Sequence, residues 1–410
     1  MHDVVVVGAR AAGAATAMML ARVGLSVAAV DRAHFPSDTL STHQVQLPGI
    51  ARLRRWGLLD DVAAAVPAVR VVRLDSGRTV LTGRYPEYQG VDALYSPRRT
   101  VLDARLVGAA RAAGAEVVEG FTVTGLTTDG GRVTGVRGRL RGEGKEVTLP
   151  ARMVVGADGK RSFVAKEVAA KTYRVRPPRT FACYSYWSGL PMPAGELHLR
   201  AGLAVPAFPT NDGLTMVAAF GPIGGFDAFR RDVEGGFHAL VDRCGDLGGR
   251  MRAAERVERF RTAADVANGF RTPYGPGWAL AGDAGLVQDP VGAQGISNAF
   301  RDADLLAAAV VEGLDEGGNL DASLAGYHRA RDASATAMDD FVGDLARLRV
   351  GPRTQALFAA LAGRPEAISR LLGAFAGAVP LSEAVGAAAL VRLAVARLTD
   401  GRARSLAGSR

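Results

Sequence analysis

Cysteine is almost missing from this chain: Cys183 and Cys244 are the only two in 410 residues. Two are too few for a disulfide framework or a cysteine-rich metal site, and a reducing cytoplasm fits. Histidine is sparse as well, with six scattered residues, no metal-spaced pair and no serine elbow beside them. Lysine is confined to positions 145, 160, 166 and 171, so the net charge of +9 rests on arginine. No dense basic run accompanies it, and the charge reads as diffuse, without nucleic acid as an expected partner. Long apolar runs are lacking too. The best candidate, residues 384–398, is short and carries Arg392 and Arg397, which reads as an amphipathic packing helix and not a membrane span. A strand begins by residue 3, leaving no room for a charged, apolar and cleavable leader. What remains is a chain with 48% hydrophobic and 22% charged residues, long enough for two or three lobes, without internal repeats.

The first strand is written in Val4-Val5-Val6-Val7, a continuous β-branched run suited to a parallel strand buried on both faces. An alanine-rich stretch over 11–23 predicts a helix stopping at Gly24, and Val27-Ala28-Ala29-Val30 resumes as strand. Residues 45–66 read as one helix, with Leu53, Trp56, Leu58 and Leu59 on its buried side. A further helix is expected over 101–113, then a strand from Ala115 and a meander over 121–149 with turns at Asp129-Gly130-Gly131 and Gly142-Glu143-Gly144. Arg176-Pro177-Pro178 marks a boundary, followed by three or four strands over 180–220. After residue 295 the chain reads mainly as helix, to about residue 398.

Three glycine- and aspartate-bearing segments recur at strand ends. They are Gly8-Ala9-Arg10-Ala11-Ala12-Gly13, Gly156-Ala157-Asp158-Gly159 and Gly282-Asp283-Ala284. A dinucleotide's pyrophosphate needs a tight turn, close backbone approach and the positive end of a helix. Gly8 suits the turn, Gly13 suits helix–strand packing, and Asp31 at the next strand end can accept from ribose hydroxyls. Arg10 stands where the second glycine usually lies, so its side chain either turns away or serves the phosphates. Gly221-Pro222-Ile223-Gly224-Gly225 is a decoy, because proline lacks the N–H that a phosphate cradle uses. One dinucleotide is therefore expected, with no second Rossmann domain for NADPH.

With these residues the chain resembles the FAD-dependent monooxygenases of the aromatic-hydroxylase type, a superfamily that also holds geranylgeranyl-type reductases and flavin-dependent halogenases. The resemblance covers residues 3–330, and all three segments stand in the family's order. It implies an α/β fold: a Rossmann-like FAD-binding domain of three-layer ββα architecture, interleaved with a mixed β-sheet substrate domain and followed by a C-terminal helical region. The implied division is 1–174 and 276–330 for FAD, 175–275 for substrate and 331–410 for the helical region. Asp289-Pro290-Val291-Gly292-Ala293-Gln294-Gly295-Ile296 looks like the family's flavin-facing loop and helix start, where backbone N–H groups can stabilise charge on a reduced ring. The histidine often found after the Gly-Asp pair is replaced here by Gly285 and Leu286. The implied cofactor contacts are Gly8, Arg10, Ala12, Gly13, Asp31, Arg32, Arg99, Val123, Asp158, Gly282, Asp283, Gly295 and Ile296. Arg99 is either a fork for pyrophosphate or flavin oxygens, or a solvated arginine at a helix start.

On the reaction side, Pro290 stiffens the flavin-facing loop, and His43 either orients substrate and relays a proton or serves as a structural hydrogen-bonding residue. In the alternating run Thr180 to Ser188, Ala182, Tyr184 and Tyr186 share one side, with Tyr184 and Tyr186 as candidate substrate-pocket walls or ordinary core. His198 falls on a polar sheet face and is not a candidate. The resemblance implies a monooxygenase that hydroxylates or epoxidises an aromatic, polyketide or terpenoid compound with NAD(P)H and O2 through a flavin C4a-hydroperoxide, as a cytoplasmic monomer or homodimer without metal. The alternatives are a geranylgeranyl-type double-bond reductase, which the lack of cysteine in residues 37–49 disfavours, and a halogenase, disfavoured because no lysine precedes Lys145 and no tryptophan-rich signature is present. A non-catalytic FAD-holding protein is the alternative outside the enzymes.

Overall fold

The computed structural model describes residues 1–385. The run Val4–Val7 explains the central layer. Val4 and Val6 pack on one face against helices, whereas Val5 and Val7 pack on the other against Phe121, Val133 and Val136. A strand covered on both sides needs apolar residues at every position, and the sequence supplies them. Its parallel neighbours are Val27–Asp31 and Glu146–Gly156, with Glu116–Glu119 beyond the first and Trp278–Leu280 beyond the second. The helices Ala11–Arg22, Arg99–Ala112 and Gly295–Leu314 form the layer on one side. The meander Phe121–Asp129 and Arg132–Leu140 forms the other, joined by the first half of Glu146–Gly156. These are the three layers implied by the resemblance.

A second, mixed sheet runs in the order Glu255–Arg256, Thr180–Ser188, Thr215–Pro222, Leu203–Pro209, Gly195–Arg200, Val71–Asp75, Val80–Arg84. The hairpin formed by residues 71–84 falls within the expected first division, 1–174. Val71–Asp75 instead pairs in parallel with Gly195–Arg200, so this hairpin crosses into the second sheet. One face of that sheet, including Phe181, Cys183 and Trp187, packs on the helices Val233–Val241 and Leu247–Arg252. Its other face turns toward the first sheet and its helices.

Two further boundaries differ from expectation. The helix expected over 45–66 is broken into Leu47–Arg55 and Leu59–Ala63, because Gly57 takes φ +75° between them. The division at 330/331 falls inside the helix Leu320–Leu345, whose Tyr327 hydroxyl donates to the Leu280 carbonyl and whose Arg331 donates to that of Gly285. That helix therefore braces the first sheet before the chain crosses to the second. There the helices Pro352–Leu361 and Pro365–Phe375 lie over the sheet, with Ile368 and Leu372 against Gly83. The packing helix expected at 384–398 lies outside the described residues beyond its first positions. Among the described residues no helix is long and apolar enough to cross a membrane.

Candidate functional site

Parallel pairing sets the carboxyl ends of three strands side by side, with Val7 opposite Gly156 and Gly156 opposite Leu280. The three glycine-bearing segments therefore meet at one edge. A Cβ added to Gly8, at φ +95°, would lie 2.5 Å from the Ala157 carbonyl oxygen. One added to Gly13 would lie 1.7 Å from the carbonyl oxygen of Gly8, and one on Gly282 would lie 2.9 Å from the Ala12 Cβ. Only glycine permits these approaches. The helix Ala11–Arg22 starts here with no side-chain cap and no acidic residue in its first turn, leaving its first N–H groups and dipole for an anion.

The side chains around this edge divide into those that build it and those that face it. Asp158 accepts from the Ser162 hydroxyl at 2.5 Å and the Phe163 N–H at 2.6 Å, fixing the second segment at the start of the helix Phe163–Glu167. Asp31 accepts from the N–H groups of Ala9 at 2.8 Å and Ala33 at 2.8 Å, one per oxygen, so each oxygen keeps a further lone pair for a ribose hydroxyl. Arg32 is exposed beside it, and Val123 is half-buried in the strand bordering Val27–Asp31. Arg10 answers the question raised by its position. Its guanidinium donates to Asp103 at 2.8 Å, to the Ser37 hydroxyl at 2.9 Å and to the carbonyls of Ser37 and Asp38. Arg99 donates to the other oxygen of Asp103 at 3.0 Å. Asp103 is fully buried between the two arginines, and sequence reasoning missed it. The Arg99–Asp103 spacing on a helix was the only local signal.

Asp283 lies in the third segment and is exposed at the edge. Displacement of water by the surrounding protein pushes its carboxyl up to about 6, with Arg99 opposing and Asp302 adding to the rise. Asp302 holds the same segment by accepting from the Gly282 N–H at 3.1 Å.

The loop before the helix Gly295–Leu314 is pinned from several sides. Asp289 accepts from the Thr180 hydroxyl at 2.8 Å and from the Val291 N–H at 3.1 Å, ahead of the turn Pro290–Gly292. Gln294 donates to the Phe375 carbonyl at 3.0 Å, Asn298 donates to Gln288 at 2.7 Å, and the Ser297 hydroxyl accepts from the Gln46 N–H at 3.1 Å. The helix start has no side-chain cap and no acid in its first turn. A Cβ added to Gly295 would meet no heavy atom within 4 Å, so the backbone is open there, while Ile296 is buried beside it. A rigid, open helix N-terminus is suited to receive negative charge on a flat ring. The three-segment edge and this second helix start thus fit a dinucleotide at one end and its ring at the other.

Beside Pro290–Ala293 lies a cavity walled by the second sheet and the C-terminal helices. Its lining includes Val72, Leu74, Leu197, Phe208 and Phe220 from the sheet, Gln44 and Gln46 from the loop before residue 47, and Phe341, Leu372 and Phe375 from the helices. Tyr184 and Tyr186, the expected pocket walls, are buried on the correct side of their strand but do not line this cavity. The loop containing Ser41 and His43 covers them: the Ser41 N–H donates to the Tyr184 hydroxyl at 3.1 Å, and the Tyr186 hydroxyl lies 3.0 Å from His43 Nε2. His43 is fully enclosed, stacked on Tyr186 and edge-on to Phe208, and its Nδ1 has no hydrogen-bond partner among the described residues. His198 is buried, not set on an open polar face, with Nε2 2.8 Å from Glu196 and Nδ1 3.3 Å from Asp75 on the side of the sheet facing the helix Leu247–Arg252.

Residues 1–181 match the family described as an FAD binding domain. The digeranylgeranylglycerophospholipid reductase of Methanothrix thermoacetophila is 28% identical over 320 residues, covering 75% of this chain and 77% of that protein. The 6-methylpretetramide 4-monooxygenase of Streptomyces rimosus is 29% identical over 337 residues, 76% of each chain. Among solved structures, the flavin-dependent brominase Bmp2 shares the fold with a TM-score of 0.81 at 19% identity, over 98% of this chain and 99% of that one.

Proposed function

We propose that this chain is an FAD-dependent monooxygenase; the FAD binding domain matched by residues 1–181 and the likeness to a reductase and a monooxygenase support an FAD-dependent oxidoreductase. The reaction takes an organic substrate, O2 and NAD(P)H with one proton to a hydroxylated or epoxidised product, water and NAD(P)+. FAD, when bound and reduced, supplies the electrons and activates oxygen. The residues of this chain do the rest. The Gly8–Gly13 turn, Asp31 and the start of the helix Ala11–Arg22 hold the dinucleotide end. Asp283 holds the middle, and the N–H groups at Gly295 and Ile296 stabilise negative charge at the ring. Pro290 fixes the loop that forms one wall of the cavity.

The observation that carries the proposal is that cavity: a mostly apolar chamber sharing its wall with the ring-facing loop and lined also by Phe341, Leu372 and Phe375. A chamber of this kind holds water away from the reacting centre, which an oxygen-transferring site requires. Reduction of a double bond is the second reading, favoured by the likeness to the archaeal reductase. No thiol serves it in the chamber: Cys183 and Cys244 are both buried in the core on the far face of the second sheet.

The test is to follow NAD(P)H oxidation and oxygen uptake with neutral polycyclic and isoprenoid compounds, with and without oxygen. Oxygen-dependent formation of an oxygenated product is expected. A saturated product formed without oxygen would transfer the assignment to the reductase.

A further inference from the structure

Four tyrosines of this protein have a close hydroxyl partner among its own groups. Tyr184 accepts from Ser41, Tyr186 meets His43, Tyr173 donates to Asp332 at 2.6 Å, and Tyr327 donates to Leu280. Tyr85, like the half-buried Tyr95 and Tyr274, has none among the described residues, and of these three it alone lines the chamber. It directly follows the strand Val80–Arg84 and lines the chamber, half-buried, with its backbone N–H donating to Arg70. Its hydroxyl makes no hydrogen bond to any described residue. Surrounding protein raises the ionisation of this phenol well above its usual range, so it remains a protonated donor. A phenol lining a mostly apolar chamber needs a partner from the ligand once that ligand displaces water, because leaving its O–H unpaired is then unfavourable.

The charge of the chamber is the second observation. Of all its lining residues only Glu196 is charged, and both of its oxygens accept from Arg250, at 2.8 and 2.7 Å, on the opposite face of the sheet. Strand alternation puts Leu197 and Leu199 toward the chamber and the Glu196 side chain away from it. No cation or free carboxylate lines the chamber among the described residues, so a charged ligand would enter without a counter-charge.

We propose that the chamber selects an uncharged, largely apolar ligand bearing one oxygen, and that Tyr85 is the specificity-determining residue that donates a hydrogen bond to that oxygen. This deepens the reading of the chamber as the substrate site and rests on it. Recognition of one oxygen in an apolar surround fixes which edge of a flat or elongated ligand points away from the Tyr85 wall.

The experiment is equilibrium binding to the FAD-loaded protein in its oxidised state, without NAD(P)H, so that no turnover contributes. The probes are 2-naphthol, naphthalene and 2-naphthoate, read from the change in the flavin absorption spectrum. 2-Naphthol should bind about tenfold tighter than naphthalene, and Tyr85→Phe should remove that difference while leaving naphthalene unchanged. 2-Naphthoate should bind poorly to the unaltered protein and gain affinity in Gln44→Lys, which brings a cation to the wall. Equal discrimination in Tyr85→Phe, no binding of 2-naphthol, or tight binding of 2-naphthoate to the unaltered protein would overturn the inference. If the binding pattern holds but no compound is oxygenated, the inference stands and the monooxygenase assignment fails.

Discussion

Nε2 of His43 lies 3.0 Å from the Tyr186 hydroxyl, and the two rings stack with an interplanar angle of 9°. The Arg98 guanidinium sits 4.6 Å from the centre of the same tyrosine ring. Burial, then the positive fields of Arg99 and Arg98, hold the imidazole's protonation down at about 3, from an ordinary 6.5. His43 is thus neutral throughout the range in which an unperturbed histidine switches. A neutral ring bonded to Tyr186 favours the structural reading of His43 over that of a base titrating near neutrality.

The stability consequence has a definite sign. The folded protein keeps His43 neutral while the unfolded chain protonates it below pH 6.5, so unfolding takes up a proton as the pH falls toward 3. Stability from this group is complete above pH 6.5 and declines below it, at up to about 1.4 kcal/mol per pH unit. His43→Gln should flatten the dependence by up to one proton. Urea unfolding at pH 7.5, 6 and 5 measures it, and an unchanged slope in the variant would contradict the neutral-histidine account.

Asp103 joins two segments far apart in sequence by receiving Arg10 from the dinucleotide turn and Arg99 from its own helix. Arg10→Ala should release the loop at Ser37 and Asp38 and raise the rate of FAD loss, with Asp103 still held by Arg99. Asp103→Leu strips the counter-charge from both arginines and should cost about 3 kcal/mol of stability. Flavin release followed by fluorescence separates the two variants from each other: the first loosens the cofactor in a protein that remains folded, and the second lowers the unfolding midpoint as well.

Local sequence carried the first sheet well. The unbroken run Val4–Val7 specified a strand covered on both faces, and Gly8 and Gly13 marked places where backbones touch. The alternation in Thr180–Ser188 correctly separated Tyr184 and Tyr186 from Phe181 and Cys183. It could not say which layer would cover the tyrosines, because the loop around His43 arrives from residues 37–44. Asp103 was hidden for the same reason, one of its partners lying 93 positions away. The chamber was the least legible part, since the hairpin of residues 71–84 reaches it only by pairing with a strand more than a hundred residues later. Long-range pairing leaves no periodic trace in either segment.

Two glycines separate folding from flavin binding. Gly13→Ala sets a methyl group against the Gly8 carbonyl, which must move the helix Ala11–Arg22, and a loss of about 3 kcal/mol together with the flavin is expected. Gly295→Ala places its methyl group where no protein atom lies within 4 Å. Its thermal midpoint should match the unaltered flavin-free protein while its FAD affinity falls, if the proposed cofactor placement puts the ring against this open backbone. Calorimetry of the flavin-free forms, followed by FAD titration, reads both effects.

Asp283 gives the cofactor site its own pH dependence. In the flavin-free protein its carboxyl is raised to about 6 from an ordinary 3.8, chiefly by the surrounding protein. The folded form therefore holds a proton that the unfolded chain has released, and the stability this brings is complete below pH 3.8 and disappears as the pH rises through 6. If Asp283 accepts a hydrogen bond from the bound cofactor, as proposed, that bond favours the opposite, ionised state, so FAD binding below pH 6 expels the proton. Affinity should then fall as the pH drops from 7 to 5, by at most about tenfold per unit. Asp283→Asn retains an accepting oxygen without the titration and should bind FAD with a flat profile over the same range. Quenching of FAD fluorescence between pH 5 and 8 supplies the affinities, and calorimetry in two buffers of different ionisation heat counts the released proton. A profile shared by both proteins would place the titrating group elsewhere, and Asp283 would then be an acid that helps form the groove without bonding to what fills it.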